Sequence, residues 1–150
     1  MIFKLSKKET NGVVVLTLSG RLTSPEPDDV INPLLVLRNA IGEEKARGNR
    51  KILLNLKDAT YISSAGLGQL ITAIGTITQM VCSSCGVPVS RDKNENFEKC
   101  ANCGSSEQKN WGQVRLSNLR LQPEDLINFT KLNTVLDIHP DEEDALVKFT

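Results

Sequence analysis

Residues 51–68 read KILLNLKDATYISSAGLG, and this stretch decides the fold class. Residues 52–56 form a nearly continuous apolar run, which predicts a central strand covered on both faces. Residues 57–62 are expected to turn the chain, and Ser63 and Ser64 then open a helix with apolar residues at helical spacing. A buried strand followed, after a short turn, by an amphipathic helix predicts an α/β protein.

The residues before this stretch predict a β-hairpin. Asn11-Gly12 is a dipeptide that tolerates positive φ at both central turn positions, and apolar residues follow it. We therefore expect residues 2–6 to pair antiparallel with residues 13–19.

The flanking segments extend the alternation of strands and helices. Asn32 before Pro33 predicts an N-cap and the first residue of a helix that runs to about residue 47. Beyond residue 110, strands are predicted over 113–118 and 135–138, and helices that begin at Pro123 and Pro140. The predicted fold is a mixed β-sheet with helices mainly on one face.

Composition narrows the classes of partner. The chain has 150 residues, and its 18 Lys and Arg balance 18 Asp and Glu. This balance gives no basic face for nucleic acid and no polybasic membrane anchor. The sequence also has no apolar stretch of transmembrane length and no leader pattern, so we expect a cytoplasmic protein without a membrane partner.

Residues 81–110 interrupt the alternation and contain every cysteine of the chain. We predict a discontinuous host domain over 1–80 and 111–150, with residues 81–110 inserted as a small domain of their own. A segment with so few apolar residues needs another source of folding free energy, and metal binding supplies one.

The cysteines form two Cys-x-x-Cys-Gly hooks, CSSCG at 82–86 and CANCG at 100–104. Two intervening residues let one tight turn present both sulfurs to one ion, and glycine permits the left-handed backbone that follows. The predicted ligands are Cys82, Cys85, Cys100 and Cys103, holding one structural Zn²⁺. A single iron in the same shell, two disulfides or four free thiols are the alternatives.

The hooks predict a zinc ribbon, a module that often contacts nucleic acid. Its charges are balanced: Arg91, Lys93, Lys99 and Lys109 against Asp92, Glu95, Glu98 and Glu107, with Phe97 the only aromatic residue between the hooks. Nucleic-acid binding is therefore disfavoured, and interaction with a protein or stability is the better interpretation.

The turn at Ser63 and Ser64 has two interpretations. Serine before an amphipathic helix is a common N-cap, because its oxygen accepts a free backbone N–H. A helix N-terminus is also a favourable place for a phosphoryl group.

Four segments together resemble the STAS domain, and more narrowly the bacterial anti-sigma factor antagonists. They are GVVVLTLSGRL at 12–22, RKILLNLKDATYISSAGLGQLI at 50–71, QVRLSNL at 113–119 and INFTKLNTVLDIHPDEEDAL at 127–146. The resemblance covers nearly all of 1–80 and 111–150 and stops at the cysteine insert.

This resemblance implies a phosphorylation switch. Aligned on Gly66, the phosphoacceptor of that family corresponds to Ser64. Unphosphorylated protein would sequester an anti-sigma factor that is also a GHKL-type serine kinase, and a PP2C-type phosphatase would reset it. The residues expected to contact the partner are Tyr61, Ile62, Ser63, Ala65 and Leu67.

Two other functions remain as alternatives. A STAS-like scaffold without a switch could bind another protein or nucleic acid through its zinc ribbon. A hydrolase would use Ser64 as nucleophile and His139, the only histidine, as base. Ile62 occupies the first glycine position of the Gly-x-Ser-x-Gly elbow, so we expect no enzymatic activity.

Overall fold

The computed structural model of the chain describes residues 2–88, 100 and 102–149. The strands are β1 (Lys4–Thr10), β2 (Val13–Leu22), β3 (Lys51–Ile62), β4 (Met80–Cys82), β5 (Gln108–Asn110), β6 (Gln113–Ser117) and β7 (Ile138–His139). The α-helices are α1 (Pro33–Ala46), α2 (Ser64–Thr78), α3 (Leu121–Phe129) and α4 (Glu142–Val147), and a 3₁₀ turn spans Leu132–Thr134.

Five of these strands form one mixed sheet in the order β1-β2-β3-β6-β7. Strand β1 is antiparallel to β2, whereas the other neighbouring pairs are parallel. Helices α1, α2 and α3 contribute Leu37, Ile41, Leu70, Ile77 and Ile127 to the larger core on one face of this sheet. Helix α4 covers part of the other face through Ala145. The predicted architecture is confirmed.

The hairpin forms at the predicted turn but is longer than expected. Asn11 and Gly12 have φ of 53° and 78°, the left-handed values that this turn requires. Strand β1 continues to Thr10, which is paired with Val13 across the turn.

The expected turn over residues 57–62 is wrong, because these residues continue β3. Strand β2 extends alongside them, pairing Gly20 with Ala59 and Leu22 with Ile62 across two register shifts. The added ladder hydrogen bonds keep this polar segment extended. Consequently β3 delivers the chain directly to Ser63 without a loop.

Two expectations near the C-terminus also need correction. The strand predicted over 135–138 is reduced to Ile138–His139, because the chain turns through Leu132–Thr134 first. Helix α3 begins at Leu121, before Pro123. Proline is tolerated there because the N–H groups of a first helical turn have no intrahelical partner.

Strands β4 and β5 form a separate two-stranded ribbon that projects from the end of α2. At its base Trp111 donates its backbone N–H to the Gln79 carbonyl at 2.7 Å, and Gly112 donates to Ile77 at 2.8 Å. The half-buried Trp111 ring packs against the larger core, with the Arg50 guanidinium over its face. The expected charges and aromatic at residues 91–93, 95 and 97–99 lie outside the described residues.

Among the residues that the structure describes, no helix has the length and hydropathy needed to cross a bilayer.

Candidate functional site

The N-cap of α2 is Ser63. Its side-chain oxygen accepts a hydrogen bond from the backbone N–H of Gly66 at 3.0 Å, and its own backbone is extended. This is the N-cap arrangement in which one free N–H of the first turn is satisfied by the capping side chain. The capping role therefore belongs to Ser63.

Ser64 is the first residue of α2 and is exposed. Its hydroxyl has no hydrogen-bond partner among the described residues, so it performs no capping role. The structure thus separates the two roles that the sequence left combined, with the cap at Ser63 and a free hydroxyl at Ser64.

The end of β2 is hydrogen bonded to this turn. The Leu22 carbonyl accepts the backbone N–H of Ser63 at 3.1 Å. A β-carbon at Gly66 would collide with that same carbonyl oxygen. The close approach of Leu22 explains why glycine stands in the first turn of α2.

The side chain of Gln122 on α3 is hydrogen bonded to the residue before the cap. Gln122 Oε1 accepts the backbone N–H of Ile62 at 2.8 Å, and Gln122 Nε2 donates to the Ile62 carbonyl at 2.9 Å. Gln122 is not predictable as a site residue from the sequence, because a single glutamine on a helix carries no distinguishing pattern.

A groove of about 760 Å³ opens beside Ser64. Arg21 and Tyr61 line one part of it, and the Arg21 guanidinium carbon lies 4.4 Å from the centre of the Tyr61 ring. The loop after β2 lines another part with three carboxylates, those of Glu26, Asp28 and Asp29. Ser64 therefore faces a groove that carries both signs of charge.

Two of the expected partner-contact residues require correction. Ile62 and Leu67 are 1% and 4% exposed and belong to the larger core, so neither offers a surface to a partner. Tyr61 and Ser63 are half-buried, and Ala65 is exposed. All three of these line the groove beside Ser64.

The four cysteine sulfurs converge at the far end of the ribbon, all within 4.8 Å of one another. The Sγ atoms of Cys82 and Cys103 are 3.5 Å apart, and those of Cys85 and Cys100 are 3.6 Å apart. Four thiolates about 2.3 Å from a common ion lie about 3.8 Å apart in a tetrahedral shell. The cysteines are not disulfide bonded, and their arrangement is compatible with a metal site.

The two hooks repeat one pattern of backbone hydrogen bonds. Gly86 donates to the Cys82 carbonyl at 3.0 Å, and Gly104 donates to the Cys100 carbonyl at 2.8 Å. Both glycines have left-handed φ values, of 80° and 79°. In the second hook the backbone N–H of Asn102 also points at Cys100 Sγ, 3.4 Å away. Such turns aim amides at thiolates and leave the sulfurs free to coordinate.

The sulfurs influence one another's ionisation. Asn102 and the backbone of Val87 lower the pKa of Cys85 to about 6. The backbone at Ser105 favours the Cys103 thiolate, but Cys82 and Cys85 outweigh it and raise the Cys103 pKa to about 12. Metal coordination needs the sulfurs as thiolates, and a bound cation would favour that state.

His139 is engaged elsewhere in the molecule. Its Nδ1 lies 2.8 Å from Asp144 Oδ2, and its Nε2 lies 3.0 Å from a guanidinium nitrogen of Arg115. Since the Arg115 guanidinium can only donate, Nε2 accepts its hydrogen bond. The ring proton is therefore on Nδ1, which donates a hydrogen bond to the Asp144 carboxylate. Both ring nitrogens are thus occupied by residues other than Ser64.

Comparison with known proteins gives a fold but no close relative. No family model matches the sequence, and no curated protein matches it significantly. An anti-sigma factor antagonist from Mycobacterium paratuberculosis is 17% identical with a TM-score of 0.62, covering 99% of this chain and 94% of that one. A Thermotoga maritima protein of the same assigned class is 18% identical with a TM-score of 0.65, covering 97% and 93%.

The Bacillus cell fate determinant SpoIIAA, solved in its phosphorylated form, is also similar. It is 16% identical with a TM-score of 0.53, covering 98% of both chains. These similarities confirm that the chain has the STAS-like fold of the anti-sigma factor antagonists.

Proposed function

We propose that this chain is an anti-sigma factor antagonist that works by phosphorylation-switched protein binding and not as an enzyme. With Ser64 unphosphorylated, it sequesters an anti-sigma factor that is also a GHKL-type serine kinase. That kinase phosphorylates Ser64, and a PP2C-type phosphatase removes the phosphoryl group. The proposed partners are cytoplasmic proteins, and we place the chain in the same compartment.

The free hydroxyl of Ser64 is the observation that carries this proposal. It is exposed at the start of α2, while Ser63 satisfies the N–H of Gly66. A phosphoryl group can therefore be added without removing the helix cap. Among the structures that share this fold, SpoIIAA has been solved in both unphosphorylated and phosphorylated forms.

Phosphorylation would change the surface around Ser64 strongly. It adds a charge of about −1.5 to −2 at neutral pH, beside the exposed methyl of Ala65 and the ring of Tyr61. A partner that packs against this surface would have to desolvate the new charge, so binding weakens. The surface that we propose for the partner consists of Tyr61, Ser63, Ser64 and Ala65.

The position of His139 supports a non-enzymatic function. A serine nucleophile needs a base within hydrogen-bond reach, oriented by a third group. His139 is oriented by Asp144, but its other nitrogen meets Arg115.

We further propose that the four cysteines hold one structural Zn²⁺ and that residues 81–110 form a zinc ribbon inserted into the host. The separation of the sulfurs and the repeated hook turns favour a closed shell of four thiolates. Zinc suits such a shell because it has no redox chemistry and accepts tetrahedral geometry. Its role would be to order the ribbon, since the described part of this segment contributes few apolar side chains to a core.

A capture experiment tests the switch. Wild type, Ser64→Ala, Ser64→Asp and the charge control Ser6→Asp on exposed β1 would serve as parallel baits in lysate of the source organism. We expect a GHKL-type kinase on wild type, Ser64→Ala and Ser6→Asp, and not on Ser64→Asp. Equal capture by wild type and Ser64→Asp, with no kinase present, would favour the scaffold alternative.

A further inference from the structure

We infer that Arg21 binds the phosphoryl group of phosphorylated Ser64, so that phosphorylation withdraws this guanidinium from the partner. The inference rests on the proposed function, because it concerns the state that the proposed kinase produces. Arg21 would thus take part in the regulation of partner binding.

Arg21 is exposed, near the end of β2, and its charge has no carboxylate partner among the described residues. Its guanidinium instead lies over the Tyr61 ring, with 4.4 Å between the guanidinium carbon and the ring centre. An arginine positioned over an aromatic ring loses part of its rotamer freedom and keeps N–H groups for an anion. The side chain is thus preorganised for an oxyanion.

Arg21 and Ser64 lie on adjacent segments of the chain, at the end of β2 and just after the end of β3, and line one groove. Arg21 is the Cα partner of Tyr61 in the β2–β3 pairing. The next residue, Leu22, accepts the backbone N–H of Ser63 at 3.1 Å, so Arg21 and Ser64 lie one residue to either side of that contact. Both side chains line the same groove, which leaves room for a phosphoryl group.

Charge directs the phosphoryl group toward Arg21. Glu26, Asp28 and Asp29 line the same groove and would repel a phosphate dianion, whereas Arg21 would attract it. Arginine recognises phosphate through paired N–H donors, which gives the contact a defined geometry. In the unphosphorylated protein these donors are available to an acidic group on the partner.

Phosphorylation therefore acts twice on a partner that uses Arg21. It adds negative charge at Ser64, and it converts a free guanidinium into one half of an internal ion pair. The partner surface that faces this groove should accordingly present a carboxylate to Arg21.

The test uses protein with phosphoserine installed genetically at position 64, so that no kinase is needed. Titration by ³¹P NMR would give the pKa of the phosphoserine in four backgrounds: Arg21 intact, Arg21→Gln, Arg21→Lys and the control Arg50→Gln. Arg50 comes just before the first residue of β3, whereas Tyr61 is near the last, so the two residues are at opposite ends of that strand.

We expect Arg21→Gln to raise the phosphoserine pKa by about half a unit, because a neighbouring cation favours the dianion. Arg21→Lys should shift it less, and Arg50→Gln should leave it unchanged. An equal pKa with and without Arg21, or an equal shift from Arg50→Gln, would overturn the inference. Failure of the proposed function would be distinguished by equal capture of partners on wild type and Ser64→Asp.

Discussion

Gln122 and Ile62 exchange two hydrogen bonds, with Ile62 N–H donating to Gln122 Oε1 and Gln122 Nε2 donating to the Ile62 carbonyl. Strand β6 pairs with β3 only as far as Asn55, so among the described residues this edge of β3 has no strand partner at Ile62. The amide of Gln122 replaces that partner and ties α3 to the residue before the cap. The position of Ser64 thus depends on a helix that is distant in the sequence, since Ile62 and Gln122 are separated by 60 positions.

Gln122→Ala should lower the free energy of unfolding by about 1 to 3 kcal/mol, because it leaves both polar groups of Ile62 unpaired. Denaturant unfolding gives the free energy, and hydrogen exchange of the Ile62 amide locates the effect. The control is Asn128→Ala, an exposed amide on the same helix. A similar loss in both variants would show that the Ile62 contact has no special role.

Gly66 and Gly68 provide a matched pair of substitutions in one helix. Gly66→Ala should destabilise the protein by about 2 kcal/mol or more, since the new methyl meets the Leu22 carbonyl. Gly68→Ala has open space around it and should stabilise α2 by about 0.5 to 1 kcal/mol. Thermal unfolding measures both, and tolerance of alanine at Gly66 would contradict the close approach.

Cys100→Ser should abolish stoichiometric metal binding and unfold the ribbon while the five-stranded sheet persists. Three remaining thiolates leave the shell open, and the ribbon loses the free energy that binding supplies. Elemental analysis measures the metal, and amide NMR spectra separate host from ribbon. Ser84→Ala, within the first hook, is the control, and retention of one bound metal by Cys100→Ser would refute the site.

Glu44 is a buried carboxylate on α1 that connects the helix to the sheet. Its Oε1 lies 2.7 Å from Lys7 Nζ on β1, and its Oε2 accepts Asn49 Nδ2 at 2.6 Å. Burial raises the pKa of Glu44, but the hydrogen bonds from Lys7 and Asn49 together with nearby positive charge outweigh it and hold the pKa below its ordinary value.

The depressed pKa predicts part of the acid sensitivity. The ionised Glu44 carboxylate contributes to the free energy of unfolding. This contribution is fully present above the unfolded-state pKa of about 4.3 and is lost as pH falls through the lower folded-state pKa. Glu44→Gln should therefore reduce stability at neutral pH and flatten its decline between about pH 5 and 2. Urea unfolding across this range checks it, with the exposed Glu43→Gln as control. An unaltered slope in Glu44→Gln would contradict the assignment.

The sequence predicts correctly those turns and helix caps that are determined by neighbouring residues. Asn11-Gly12 fixes its turn through positive φ, and Asn32 caps α1 by accepting the N–H of Leu34 at 3.0 Å. The continuation of β3 through residues 57–62 escaped prediction because it depends on pairing with β2, which is distant in sequence. Polar Asp58 and Thr60 there are typical of a loop in the absence of that partner.

The candidate site shows the same division. The position of Ser64 at a strand-to-helix junction followed from neighbouring residues, as did the spacing of the cysteines. Burial of Ile62 and Leu67 did not, because it depends on which face of the turn meets the core. The contacts of Arg21 and Gln122 are tertiary and leave no pattern in their own segments.

Met80 and Asn110 are Cα partners at the base of the ribbon, so the chain enters and leaves the ribbon at one place. The rest of the fold therefore has to accommodate only these two adjacent strand ends, whatever length of chain lies between them. Lengthening a closed loop costs little, since the entropy of closure grows only with the logarithm of its length. We therefore expect that a different short segment could be joined at this junction without a change in the register of β3 and β6 or in the turn at Ser64.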